Sequence, residues 1–98
     1  MWYNPLAMDQ WPGTFTIEAD SAVPVYRQIV DKVVADIRNG SLAAGDRLPP
    51  ERVLAERLGL ARGTVGRAYA ELERSRVIDV RRGRGSVVLA KAATGGGG

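Results

Sequence analysis

The stretch PERVLAERLGLARGTVGRAYAELER, residues 50 to 74, constrains what this chain can fold into more than any other feature. Two apolar periods of helical spacing run through it. In the second, Val65, Ala68, Tyr69 and Leu72 fall at i, i+3, i+4 and i+7, which predicts a helix over about 62 to 74 with one buried face. In the first, Val53, Leu54 and Leu58 predict a short helix over about 50 to 58 that Gly59 ends. Only three or four residues separate the two, which is the connection a helix-turn-helix requires.

The flanking sequence supplies the rest of a small domain. PVYRQIVDKVVADIRNG places Tyr26, Ile29, Val30, Val33 and Ile37 on one helical face, predicting a helix over about 24 to 39 with Pro24 at its first position and Gly40 beyond its end. The connector SLAAGDRLPP holds a turn at Ala44-Gly45 and a minimal strand at Arg47-Leu48, and Pro49 and Pro50 block any helix before them. VIDVRRGRGSVVLA reads as two strands of β-branched residues, about 77 to 81 and 86 to 90, joined by a basic glycine turn. A helix, a helix-turn-helix and a terminal β-hairpin in that order describe a winged helix. The expected class is α+β, mainly α, with three helices and a C-terminal hairpin wing.

This domain is expected over residues 22 to 90, with the helix-turn-helix at about 51 to 70 and the wing at about 77 to 90. Residues 1 to 21 form an N-terminal arm. Its opening, MWYNPLAMDQWPG, has no period, and four of the six aromatics (Trp2, Tyr3, Trp11 and Phe15) lie in the first fifteen residues, where packing on the domain itself or on a neighbour is expected ahead of ligand recognition. TFTIEA then alternates as a short strand would. Residues 91 to 98 read as a flexible glycine-rich tail, or as a linker to a further domain.

Composition excludes several classes of function. With no cysteine and no histidine among 98 residues, the chain lacks thiolate nucleophiles, disulfides, the usual zinc-site ligands and the commonest general base. The acids Glu51, Glu56, Glu71 and Glu73 sit among arginines on predicted helices, where ion pairing is the ordinary explanation. No enzymatic constellation, metal site or cofactor is expected, and a chain this small leaves little interior for an enclosed cavity beside its core, so no small-molecule pocket is evident. No apolar run approaches the roughly 20 residues needed to span a bilayer, so a cytoplasmic, nucleoid-associated location is expected.

Charge is unevenly spread. Residues 1 to 46 carry three basic and six acidic side chains, whereas residues 47 to 84 carry ten arginines against five acids. On the helix over 62 to 74, the face opposite the buried stripe is Arg62, Gly63, Gly66, Arg67 and Ala70: small residues flanked by arginines. In a helix-turn-helix the N-terminal half of the second helix enters the DNA major groove, where arginine bonds both acceptors of guanine and close approach needs slim side chains. Both glycines are therefore expected on the exposed face, their cost in helix stability offset by that approach. Thr64 serves either a phosphate or a local cap, and Arg52 either a phosphate or a nearby acid. In the wing turn, Arg82, Gly83, Arg84 and Gly85 suit a sugar-phosphate ridge or the minor groove.

PVYRQI, then IRNGSLAAGDRLPPERVLAERLGLARGTVGRAYAEL, then VIDVRRGRGSVV resemble, in order and spacing, the DNA-binding domain of the GntR family of bacterial transcription regulators. The resemblance covers about residues 22 to 90. PVYRQI and the Ala68-Tyr69 pair look most like the branches named for YtrA and MocR. The resemblance implies a winged-helix repressor that binds a palindromic operator as a homodimer on double-stranded DNA. It implies DNA contacts by Arg52, Arg62, Thr64 and the Arg82-Gly83 region. Two positions depart from the family pattern: Ala61 stands where a serine or threonine usually precedes the helix-opening arginine, and Gly66 stands where many members carry a base-reading arginine. A protein-interaction module using the aromatic arm, and the N-terminal piece of a longer regulator with an aminotransferase-like domain, are the competing readings.

Overall fold

A computed structural model describes residues 11–13, 15–81 and 85–89. Its elements in chain order are α1 (Val25–Arg38), β1 (Arg47–Leu48), α2 (Glu51–Leu58), α3 (Arg62–Arg74), β2 (Ile78–Arg81) and β3 (Gly85–Val88). The three strands form one antiparallel sheet in the order β1-β3-β2. Arg47 and Leu48 pair with Val87 and Ser86, and Ile78 to Arg81 pair with Val88 back to Gly85. Three helices and a small sheet ending in a hairpin make the winged helix that the pattern predicts.

The core follows the helical periods. Ile29, Val33 and Ile37 from α1 meet Val65, Ala68, Tyr69 and Leu72 from α3, and Leu54 and Ala55 from α2, all buried. Leu48, Ile78 and Val88 close the core from the sheet. Two expected core residues of α2, Val53 and Leu58, are only half-buried; Ala55 takes the buried place between them because a helix of eight residues turns just one narrow stripe inward. Tyr26 is likewise half-buried, at the edge of the α1 stripe.

The ends of the helices explain the sharp turn. Pro24 and Pro50 stand one residue outside α1 and α2, as extended cap residues, so both helices begin a residue later than their periods suggest. Gly59 adopts φ 69°, a left-handed conformation that only glycine takes without strain. Leu60 N–H then reaches back to Ala55 O at 2.9 Å, which ends α2 and lets α3 start at Arg62. Across the turn, the Tyr69 hydroxyl donates to the Pro49 carbonyl. That buried bond ties the middle of α3 to the corner from which α2 departs. Burial, reinforced by the nearby Glu51 carboxylate against the opposing effect of Arg57, pushes the Tyr69 phenol far above its usual range.

The strand expected in TFTIEA does not form: residues 15–18 pair with no other strand. A side chain takes the place of a neighbouring strand. Glu18 N–H donates to Gln28 Oε1, and Gln28 Nε2 donates to the carbonyls of Glu18 and Val23, each at 2.9 Å. One α1 glutamine thus satisfies the backbone that alternation alone would have assigned to a sheet. Further back, Trp11 is 7% exposed and its indole N–H donates to Asp36 Oδ2 at 2.8 Å, while Arg57 Nη1 donates to Trp11 O at 2.7 Å. Lys32 adds an ion pair to Asp36 at 3.1 Å and lies 5.5 Å from the Phe15 ring centroid. The described aromatics of the arm therefore pack on their own domain; Trp2 and Tyr3, like residues 91 to 98, lie outside the described residues. The wing strands are shifted slightly from expectation, to 78–81 and 85–88, with Leu89 N–H bonding Val77 O at 3.0 Å beyond the ladder.

Candidate nucleic-acid interface

Residues on α3 advance by about 100° each, so the inward direction of Val65, Ala68, Tyr69 and Leu72 fixes where the others point. Gly63 lies nearly opposite that stripe and is exposed, with Arg62, Arg67 and Ala70 exposed around it. A Cβ placed on Gly63 would meet nothing within 4 Å. This part of α3 is a slim, open strip bordered by guanidinium groups.

Gly66 is different, and here the sequence-based expectation is corrected. It is half-buried, and a Cβ placed on it would lie 3.1 Å from Glu51 Oε1 and 3.4 Å from Glu51 Cδ. About 100° of rotation from Val65 turns position 66 sideways toward the first residue of α2 rather than outward. The missing side chain makes room for Glu51. Periodicity within one helix could not reveal this, because the neighbour comes from another.

Arg67 is turned to the other flank. Its guanidinium carbon sits 4.0 Å from the centroid of the Tyr26 ring on α1, stacked on the face of the ring. No sequence signal links the two positions: Tyr26 reads as one more member of the buried α1 stripe. Pro24, Val25 and Tyr26 face Ala61, Gly63 and Thr64 across a groove of about 510 Å³, which Arg67 also lines.

The start of α3 carries no acidic residue, and Ala61 offers no side-chain cap. Thr64 N–H instead bonds Ala61 O at 3.1 Å. Thr64 is half-buried at the groove, leaving its hydroxyl uncommitted to the cap of its own helix. The positive end of the α3 dipole thus stands beside Arg62 with no opposing carboxylate in the first turn, an arrangement that favours anions.

On α2, both alternatives for Arg52 meet: its Nη1 lies 3.7 Å from Glu56 Oε2, yet the two side chains are 63% and 69% exposed. A solvated pair this loose contributes a few tenths of a kcal/mol at most and releases the arginine readily to a stronger partner. In the wing, the ladder ends at the Arg81–Gly85 pair, so Gly85 opens β3. Arg82, Gly83 and Arg84 lie outside the described residues. Among the described residues there is no cluster of three or more His, Cys, Asp or Glu side chains able to hold a metal ion. No helix among them is long and apolar enough to cross a membrane.

Residues 25–88 match the family described as "Bacterial regulatory proteins, gntR family". The chain is 37% identical over 78 residues to the "HTH-type transcriptional repressor YtrA" of Bacillus subtilis (strain 168), covering 80% of this chain and 60% of that protein. It is 40% identical over 72 residues to the "Probable rhizopine catabolism regulatory protein MocR" of Rhizobium meliloti, covering 74% of this chain but 15% of that protein. Among solved structures it is similar to "YtrA from Sulfolobus acidocaldarius, a GntR-family transcription factor", with a TM-score of 0.72 and 39% identity over 76% of this chain and 79% of that one. With its fold, its helix-turn-helix and this match in agreement, the chain belongs to the gntR family of bacterial regulatory proteins.

Proposed function

We propose that this domain binds double-stranded DNA in a sequence-specific manner and is the operator-reading part of a cytoplasmic transcriptional repressor. The observation that carries the reading is the open strip on α3: Gly63 with free space before it, flanked by exposed arginines, on the second helix of a helix-turn-helix. A helix of this kind fits the major groove, where Arg62 bonds the two acceptors of a guanine while Arg52 and the wing residues Arg82, Gly83, Arg84 and Gly85 engage the sugar-phosphate backbone. Thr64, at the dipole end of α3, supplies a further backbone contact. The operator is palindromic and two copies of the chain bind it, each in one half-site. The chain spans 15% and 60% of the length of the two regulators compared above, which supports a place within a longer regulator.

The test is to select a duplex from a random pool with the protein and to titrate it, and the unselected pool, by fluorescence anisotropy. The selected duplex should bind more tightly and should contain an inverted repeat. Arg62→Ala should reduce the preference for it by about 1–3 kcal/mol. Absence of duplex binding at low salt by the folded wild-type chain refutes the proposal.

A further inference from the structure

We propose that Tyr26 is a positioning residue that holds Arg67 against the phosphate ridge bordering the major groove, so that Arg67 contributes affinity for any duplex rather than reading a base. The inference rests on the DNA-binding reading above and assigns one contact within it.

With its side chains, a helix is about 10–12 Å across, and the major groove is about 12 Å wide. A helix lying in that groove presents its outermost strip to the base edges and its two flanks to the phosphate walls. On α3 the outermost strip near the N-terminus is Gly63, with the Arg67 backbone about 40° from it on the same strip and Gly66 about 60° from it on the α2 side; it is the Arg67 guanidinium that leaves the strip, for the α1 side. The Gly66 flank is occupied by Glu51 and the Arg67 flank by Tyr26. Stacking on the ring draws the Arg67 guanidinium away from the helix midline, toward α1.

The stacked guanidinium remains chemically available. An aromatic face engages the π surface of the guanidinium and leaves the N–H donors at its edge free. Arg67 is exposed, and among the described residues it makes no ion pair. Tyr26 removes water from one face and restricts a long side chain before DNA arrives, so less freedom is lost when the edge meets a phosphate oxygen. α1, remote in sequence from the recognition helix, thereby takes part in the contact.

Four variants of the full chain test this: Tyr26→Leu, Tyr26→Phe, Arg67→Ala and the double variant Tyr26→Leu/Arg67→Ala. Each is titrated by anisotropy against the selected duplex and the random-sequence pool, over a range of salt concentrations, after a thermal melt has established folding. Arg67→Ala should weaken both duplexes by the same several-fold factor and lower the slope of log K against log salt by about one. Tyr26→Leu should reproduce most of that loss, Tyr26→Phe should match wild type because the ring face is kept, and the double variant should be no weaker than Arg67→Ala alone. A second readout requires only the wild type: the Arg67 side-chain protons should resonate upfield of those of Arg62, from the ring current of Tyr26, in free and DNA-bound protein. Unshifted Arg67 protons overturn the proposal, as does an Arg67→Ala variant that loses preference for the selected duplex with its salt slope intact. Wild type that binds no duplex refutes the DNA-binding reading itself, whereas wild-type binding with an unchanged Tyr26→Leu slope refutes only this assignment.

Discussion

The two glycines of α3 yield a quantitative prediction because identical substitutions meet different surroundings. In a helix interior, glycine to alanine is worth about 0.8–1 kcal/mol. At Gly66 the added methyl would stand 3.1 Å from Glu51 Oε1, so the carboxylate must retreat by a few tenths of an ångström. That oxygen ends a flexible side chain, and the retreat needs a torsional change of under about 10°, far less than the 30° that costs about 0.5–1.5 kcal/mol. Gly66→Ala should therefore still stabilise the domain, by about 0.5–0.8 kcal/mol. Gly66→Val adds two further methyl groups on the same flank and displaces Glu51 outright. Its gain over glycine is only about 0.3 kcal/mol, so the net should be a loss of up to about 1 kcal/mol. In a Glu51→Ala background that loss should vanish, giving a coupling of about 1 kcal/mol in a double-mutant cycle read by urea denaturation. DNA affinity should separate the two positions in the opposite sense. Gly63→Ala projects a methyl into the open strip and should weaken duplex binding, whereas Gly66→Ala, its methyl directed at Glu51, should leave affinity within about twofold of wild type, a difference under about 0.4 kcal/mol. If Gly66→Val is tolerated as well as Gly66→Ala and shows no coupling to Glu51, the packing account of Gly66 is refuted.

Further outcomes follow from the buried contacts and from one left-handed residue. Tyr69→Phe removes the donor to the Pro49 carbonyl and should cost about 1–2 kcal/mol by urea denaturation. Because the folded phenol holds its proton far above the value near 10 expected in the unfolded chain, the unfolded state binds fewer protons above that pH, and wild-type stability should fall as pH rises past about 10. A Tyr69→Phe variant that keeps the same alkaline decline would assign it to another group. Arg76 takes φ 62° at the end of α3, where its N–H bonds Glu73 O and Val77 N–H bonds Leu72 O. Arg76→Gly should raise stability by about 0.5–1 kcal/mol in a thermal melt, since relief of a left-handed arginine exceeds the entropy that glycine adds to the unfolded chain. Trp11→Ala should cost about 3 kcal/mol in urea, yet leave the DNA affinity of the folded protein unchanged, because the Trp11–Asp36 contact lies at the end of α1 remote from Tyr26.

Most of the scaffold is legible from local pattern. The buried stripe of α3, the ending of α2 at Gly59, the two-residue strand at Arg47-Leu48 and the terminal hairpin all arise from spacing and from the φ/ψ preferences of glycine and proline. Such preferences act between residues close in sequence. The exposure of Gly63, Arg67 and Ala70 is legible for the same reason: one stripe of a helix, once assigned inward, determines its opposite, whereas Arg62, in phase with Val65 and Tyr69, is exposed because it opens the helix. Pattern fails where the deciding neighbour is remote in sequence. The alternation in TFTIEA is real, but Gln28 supplies its hydrogen bonds and no strand forms.

The sequence by itself thus determined the three helices and the hairpin, the inward faces of α1 and α3, the direction of the charge bias and the family to which the chain belongs. Tertiary structure decided what lies on the flanks of α3. Gly66 became room for Glu51 rather than an outward gap, and Arg67 became half of a stack with Tyr26. Both results depend on how α1 and α2 are docked against α3, through the shared core and the Tyr69 bond to Pro49. A one-dimensional period records which way a side chain leaves its own helix; only the packing of three helices sets what it meets there.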